Sequence, residues 1–238
     1  MPEKVKVLTS RRAFEFQPDD LRLSLLSIKP VQEQIQKLFQ FQVALMATPM
    51  QTFGEVPPIY PPGLVFDMGV WLSPEQQLIP IRFLHFEQNR IVIDVAGPST
   101  ALIGIFEQLQ HFLSQLRAPD GTPAVGKPER VLDYSEITAH FPFLLKDFFA
   151  SPLRKLFSSL TGESDQSKDL VIVPTFVVQS HTGNQILSSA YNPKEPRAFT
   201  FALREGTQPA ERIYFSGAPL DSEAHLSYLN QLEEVLSS

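Results

Sequence analysis

Asp67, His85 and Asp94 are the residues whose types and spacing come closest to proton chemistry in this chain. A carboxylate beside an imidazole can orient the ring and stabilise its protonated form, which is what a general acid–base needs. His85 and Asp94 fall on the two strands of a predicted hairpin, on the side opposite Leu84 and Ile93. Asp67 lies on the preceding strand, where it can join them. The surrounding sequence does not extend the idea, because no GxSxG elbow and no GxGxxG or GxxxxGK phosphate loop occurs. A solvated sheet face carries such residues routinely, and that is the preferred account of the three.

The five histidines, His85, His111, His140, His181 and His225, show no HxH, HxxxH or HExxH spacing, so no metal centre is expected. On the two long helices, His111 and His225 are expected at the polar face or its boundary. The absence of cysteine excludes disulfides, thiolate zinc, iron–sulfur clusters and a cysteine nucleophile. No cofactor is expected.

A different chemistry is suggested by Pro57-Pro58-Ile59-Tyr60, which matches the PPxY pattern read by aromatic grooves of the WW type. It lies within Thr48–Gly63, where Pro49, Pro61 and Pro62 also stiffen the backbone toward polyproline II. Aromatic side chains on a stiff loop lose little entropy on docking. Phe53, Pro57, Pro58, Ile59 and Tyr60 are therefore the candidate partner-binding residues. The competing account is a loop packed on the protein's own sheet.

The elements that position these residues centre on Gln77–Arg117. Leu78–Phe86 and Ile91–Ala96 read as a hairpin, with Phe86 opposite Ile91, Leu84 opposite Ile93 and Arg82 opposite Val95. That register makes one apolar face of a half-buried antiparallel sheet. A helix opening at Gly97-Pro98-Ser99-Thr100 places Leu102, Ile105, Phe106, Leu109, Phe112, Leu113 and Leu116 on one stripe.

Upstream, Val5–Leu8 reads as a short strand, and Ala13–Gln17 with Leu21–Ile28 as a hairpin about Pro18-Asp19-Asp20. A helix opens at Pro30 and carries Val31, Ile35, Leu38 and Phe39 inward; Leu64–Leu72 is a strand. Downstream, Val131–His140 is extended, and Leu153–Leu160 forms a short helix. Leu170–Val178 is a buried strand interrupted by Pro174, and His181–Asn184 is a turn. Arg197–Glu205 and Glu211–Ser216 form another hairpin. A last helix from Asp221 or Ser222 turns Leu226, Leu229, Leu232, Val235 and Leu236 inward.

A shift of 122 residues lays Pro30 on Pro152, Ile79–Arg82 on Phe201–Arg204, and Arg90–Ile93 on Arg212–Phe215. The expected fold is therefore α+β, with two pseudo-repeated β-α-β-β-β-α halves, antiparallel strands and helices on one face. The halves are 1–120 and 121–238, divided near the Pro- and Gly-rich Ala118–Glu129 and packed as one globular unit.

The net charge of −6 disfavours nucleic acid, which recruits cationic surface. The N-terminal residues lack the apolar core of a signal peptide, and no apolar run is long enough to span a bilayer. A soluble, cytoplasmic protein without a membrane association is expected. Its expected role is a non-catalytic interaction or assembly module binding a protein partner or another copy of itself. The alternatives are a small-ligand binder with an apolar pocket between sheet and helix, or an enzyme using Asp67, His85 and Asp94.

Overall fold

Alternating apolar residues, tight turns and two strongly amphipathic helices produce a mixed α+β fold with antiparallel strand pairing. The computed structural model describes residues 2–47, 63–144, 175–179 and 198–237. It divides into two units, Leu8–Ser135 and Met1–Val7 with Glu136–Ser238. The proline-rich loop ahead of Gly63, the Leu153–Leu160 segment, Pro174 and the His181–Asn184 turn lie outside the described residues. No described helix is long and apolar enough to cross a membrane.

The Leu8–Ser135 unit holds β2 (Val43–Ala47), β3 (Gly63–Leu72), β4 (Leu78–Phe86), β5 (Arg90–Val95) and most of β1 (Glu3–Glu15). They pair in the order β2-β3-β4-β5-β1. Strand β1 is far longer than Val5–Leu8, and the predicted hairpin at its end does not form. Leu21 makes an isolated bridge to Val125, and the next residues coil into α1 (Leu23–Leu26). Strand β5 already occupies β1 along Ser10–Glu15, so Leu21–Ile28 finds no ladder there. It instead buries Leu21 and Leu26 in a tight turn.

Helix α2 (Lys29–Leu38) starts with Pro30 in its first turn, where a missing N–H costs nothing, and buries Ile35 and the following Phe39. Helix α3 (Thr100–Leu113) buries Leu102, Ile105, Phe106, Leu109 and Leu113, with Phe112 and Leu116 half-buried beside them. Phe106 stacks on Phe14 of β1 at 3.6 Å between ring centroids. These helices join Phe66, Leu84, Phe86, Ile91 and Ile93 in one hydrophobic cluster.

The β4–β5 ladder keeps two of the three predicted pairs. Phe86 faces Ile91 and Leu84 faces Ile93, but Val95 faces Ile81 rather than Arg82, across a register shift. Ile81 and Leu84 are both buried in the same cluster although three residues apart. A strict two-residue period cannot put both on one face, so the strand bulges between them and Arg82 is turned outward. Met68 on β3, with φ 55°, is the matching irregularity next door. Pro80, which lacks a donor, survives in β4 because the bonds around it are rerouted. Its carbonyl accepts Ala96 N–H at 2.9 Å, while Val70 N–H turns to the Phe39 carbonyl at 2.7 Å.

The other unit orders its strands β6-β9-β8-β7, with β6 (Arg130–His140) reaching it through its C-terminal residues. Strands β7 (Thr175–Gln179), β8 (Ala198–Leu203) and β9 (Ile213–Ala218) are antiparallel, and helix α4 (Ser222–Ser237) follows. Phe141, Phe201 and Tyr214 form its aromatic core, with Phe201 and Tyr214 stacked at 4.7 Å. Leu229 is buried and Leu226, Leu232 and Leu236 pack beside it, but Val235 is 71% exposed. His225, expected at a polar face, is instead fully buried against Ser216 at 2.9 Å. The spacing 222–225–229 places Ser222, His225 and Leu229 on the same side of α4.

Candidate functional site

The face of β4 and β5 that carries His85 and Asp94 is not a solvated face. His85, Asp94, Val65 and Val92 are all buried. The ladder sets Asp94 beside Arg11 of β1 on one side and Phe83 of β4 on the other. Asp94 Oδ2 accepts Arg11 Nε at 2.8 Å and Nη2 at 2.8 Å. Oδ1 lies 3.0 Å from the Thr9 hydroxyl and 3.5 Å from Arg82 Nε. Thr9 has one proton to share between Asp94 and the Val95 carbonyl, 2.9 Å away, and accepts from Arg82 Nη1 at 3.3 Å. The Arg11 guanidinium also lies 5.2 Å from the Phe83 ring and 6.0 Å from that of Tyr134.

His85 faces Val92, one diagonal step from Asp94, and directs Nδ1 to Glu87 Oε1 at 3.3 Å. Arg90 closes the other side of Glu87 through Nε and Nη2, at 2.9 and 2.7 Å. Asp67 faces Phe83, two strands from Asp94 and hence about 10 Å away. The three residues share a sheet face without forming a relay. Asp94 engages arginines and His85 engages Glu87, while Asp67 lies two strands from Asp94.

Burial acts to raise the Glu87 pKa, but the His85 hydrogen bond and the Arg90 charge outweigh it, leaving it below the ordinary glutamate value. A depressed pKa contributes stability that is complete above the unfolded value and is lost as pH falls through the folded one. Glu87→Gln should therefore cost on the order of 1–2 kcal/mol at neutral pH. The difference from wild type should shrink below about pH 4. Urea denaturation at pH 7, 5 and 3.5 measures it; a constant difference would contradict the assignment.

The second feature is an open groove of about 430 Å³ between the β3–β4 turn and the first half of α3. Its walls are Trp71, Pro74, Glu75 and Ile79 on the sheet side and Pro98, Ala101 and Ile103 on the helix side. Trp71 faces Ile79 across the ladder and donates Nε1–H to Gln108 Oε1 at 2.9 Å. Its ring lies flush on Gly104, where a Cβ would come 2.5 Å from Trp71 Cζ2. A mid-helix glycine costs about 1 kcal/mol relative to alanine, and here it admits the indole.

The turn itself is tied down. Ser73 N–H donates to the Gln77 carbonyl at 2.9 Å, Gln76 N–H to the Ser73 carbonyl at 2.9 Å, and Gln77 N–H to Ser73 Oγ at 3.2 Å. Gln76 adopts φ 66° to close it. Ile103 is 48% exposed at the groove, and Leu72 and Leu78, paired on the reverse side of the turn, are 51% and 69% exposed.

Sequence reasoning placed the binding surface on Phe53, Pro57, Pro58, Ile59 and Tyr60, which lie outside the described residues. It passed over the groove, although two signals were present. Gly104 is a mid-helix glycine, and both it and Ile103 stand off the apolar stripe. No protein-family model and no curated protein matches this chain.

Proposed function

We propose that this protein is a non-catalytic interaction module that receives a short segment of a partner protein in the groove between the β3–β4 turn and α3. The observation that carries the reading is the groove itself. It has an apolar floor and a polar rim, is walled by a pinned turn and a helix, and has Ile103 half exposed at its edge. A large aliphatic side chain left in water beside a cleft walled by an indole marks a docking surface. The groove is open rather than enclosed, which favours a peptide over the small-ligand alternative. Saturation of Asp94 by Arg11 and Thr9 weighs against the enzyme alternative.

The proposal includes a cytoplasmic, soluble setting and no affinity for nucleic acid or membrane, in keeping with the acidic net charge. It also includes descent from a duplicated α+β half, with halves 1–120 and 121–238, although β2 makes the first half one strand longer than the expected β-α-β-β-β-α order. Strand order supports the duplication. In each unit the first strand of the half lies beside the last, β1 by β5 and β6 by β9, and a long helix follows. Asp94 and Ser216, 122 residues apart, are both buried polar residues on the last strand. Their ladder partners, Phe83 and Phe201, are 118 apart, because the β8–β9 connection is longer than the β4–β5 turn.

Selection from a displayed random peptide library on the full chain tests the docking surface, with the Ile103→Asp protein as subtractive target. Ile103 is exposed enough for the variant to fold, which circular dichroism confirms. Recovered peptides are expected to bind wild type at least about tenfold more tightly than Ile103→Asp. They should be indifferent to Tyr228→Ala, an exposed aromatic of the other unit. Recovery of peptides that bind Ile103→Asp equally well, or of none, would contradict the reading.

A further inference from the structure

We infer that the segment taken by the groove carries a large apolar anchor flanked by lysine or arginine, an inference that rests on the docking role proposed above. Among the described residues lining the groove, Glu75 is the one charged side chain, exposed on the turn. On the helix wall, Thr100, Ile103 or Gly104, and Glu107 follow one another at helical spacing, and Glu107 is exposed. The groove therefore has one acidic residue on its turn wall, and a second, Glu107, one helical turn beyond Ile103 and outside its lining. Arg82, three residues beyond Ile79 on β4, does not offset them, because its Nε turns to Asp94 on the other side of the strand.

Among the described residues, the N-terminal end of α3 is the opposing influence. Its dipole amounts to about half a positive charge. Two of its N–H groups are already occupied, Ala101 bonding the Pro98 carbonyl at 3.3 Å and Leu102 the Ser99 carbonyl at 3.1 Å. Two full negative charges outweigh that residue of positive potential. A second copy of this chain, at net charge −6, would approach against like charge, so the occupant is a different, basic segment. Charge complementarity of this kind acts mainly on specificity and encounter rate, while the apolar anchor supplies the affinity.

Three synthetic nine-residue peptides test the inference, sharing a central Phe-Ser-Ser-Leu anchor and carrying flanks of Lys, Ser or Glu. Each bears a fluorescent label for anisotropy titration against the full chain at 50 and 300 mM salt. Two exposed charge pairs should make the Lys peptide about 3- to 30-fold tighter than the Ser peptide at low salt. The Glu peptide should be weakest, and the spread should narrow at high salt. Glu75→Lys/Glu107→Lys, both at exposed positions, should invert the ranking. A Lys advantage below threefold, or one that survives the double variant, would overturn the basic-flank inference. If the peptides still lose affinity in Ile103→Asp, the groove reading stands. Binding of none of the three, or equal binding to Ile103→Asp, would remove both.

Discussion

Asp94→Ala should destabilise the Leu8–Ser135 unit by about 3–5 kcal/mol. The carboxylate has no solvent exposure, and removing it takes from Arg11, 17% exposed, the acceptor that both its Nε and Nη2 reach at 2.8 Å. Stranding one partner of a buried pair costs far more than the pair contributes over an apolar substitute, because desolvation of the survivor is uncompensated. Arg82 behaves differently. It is 54% exposed and its 3.5 Å approach to Asp94 is screened by water, so Arg82→Ala should cost no more than about 1 kcal/mol. Replacing both partners, as Arg11→Met/Asp94→Leu, should be markedly milder than Asp94→Ala alone. The sole tryptophan, Trp71, lies in this unit, so its emission during urea denaturation reports these losses directly. A loss below about 1 kcal/mol for Asp94→Ala would mean that the cluster is not a buried pair.

Phe106→Ala should cost a comparable 3–5 kcal/mol, and Leu109→Ala about 2–5 kcal/mol. Phe106 presents its ring to Phe14 at 3.6 Å and an interplanar angle of 10°, so truncation removes both buried area and an aromatic pair. Leu109 has no exposure and belongs to the same hydrophobic cluster, so its truncation leaves a cavity in the core. The same denaturation reads both. Losses under about 1 kcal/mol at both sites would show that this helix face is not core.

The helices and the main hairpin were legible because their signals are local. The stripe from Leu102 to Leu113 repeats at helical spacing, and Phe86/Ile91 with Leu84/Ile93 follow from a short turn. The bulge at Arg82 was missed for a simple reason. Strict alternation carries the register from Leu84 to Arg82 and takes no account of the apolar Ile81 three residues before Leu84. Burial of Asp94 was also out of reach, because its carboxylate is balanced by Arg11, which is 83 residues away in the chain. Leu21–Ile28 failed for the same kind of reason. Its alternating leucines suit a strand, but the ladder beside it is taken by β5. Gly104 and Ile103 stand out locally in the sequence, but the groove also needed Trp71, from a distant strand, to be brought onto that helix.

The measurement that bears most directly on the docking role is the emission of Trp71 as a selected peptide is titrated into the full chain. The indole lies in the groove wall and is the protein's only tryptophan, so an occupant must change its surroundings. A saturable shift of the emission is expected, with the same midpoint as direct binding and weakened about tenfold or more in Ile103→Asp. Saturable peptide binding that leaves Trp71 emission unchanged and is undiminished by Ile103→Asp would place the binding surface elsewhere and contradict the account.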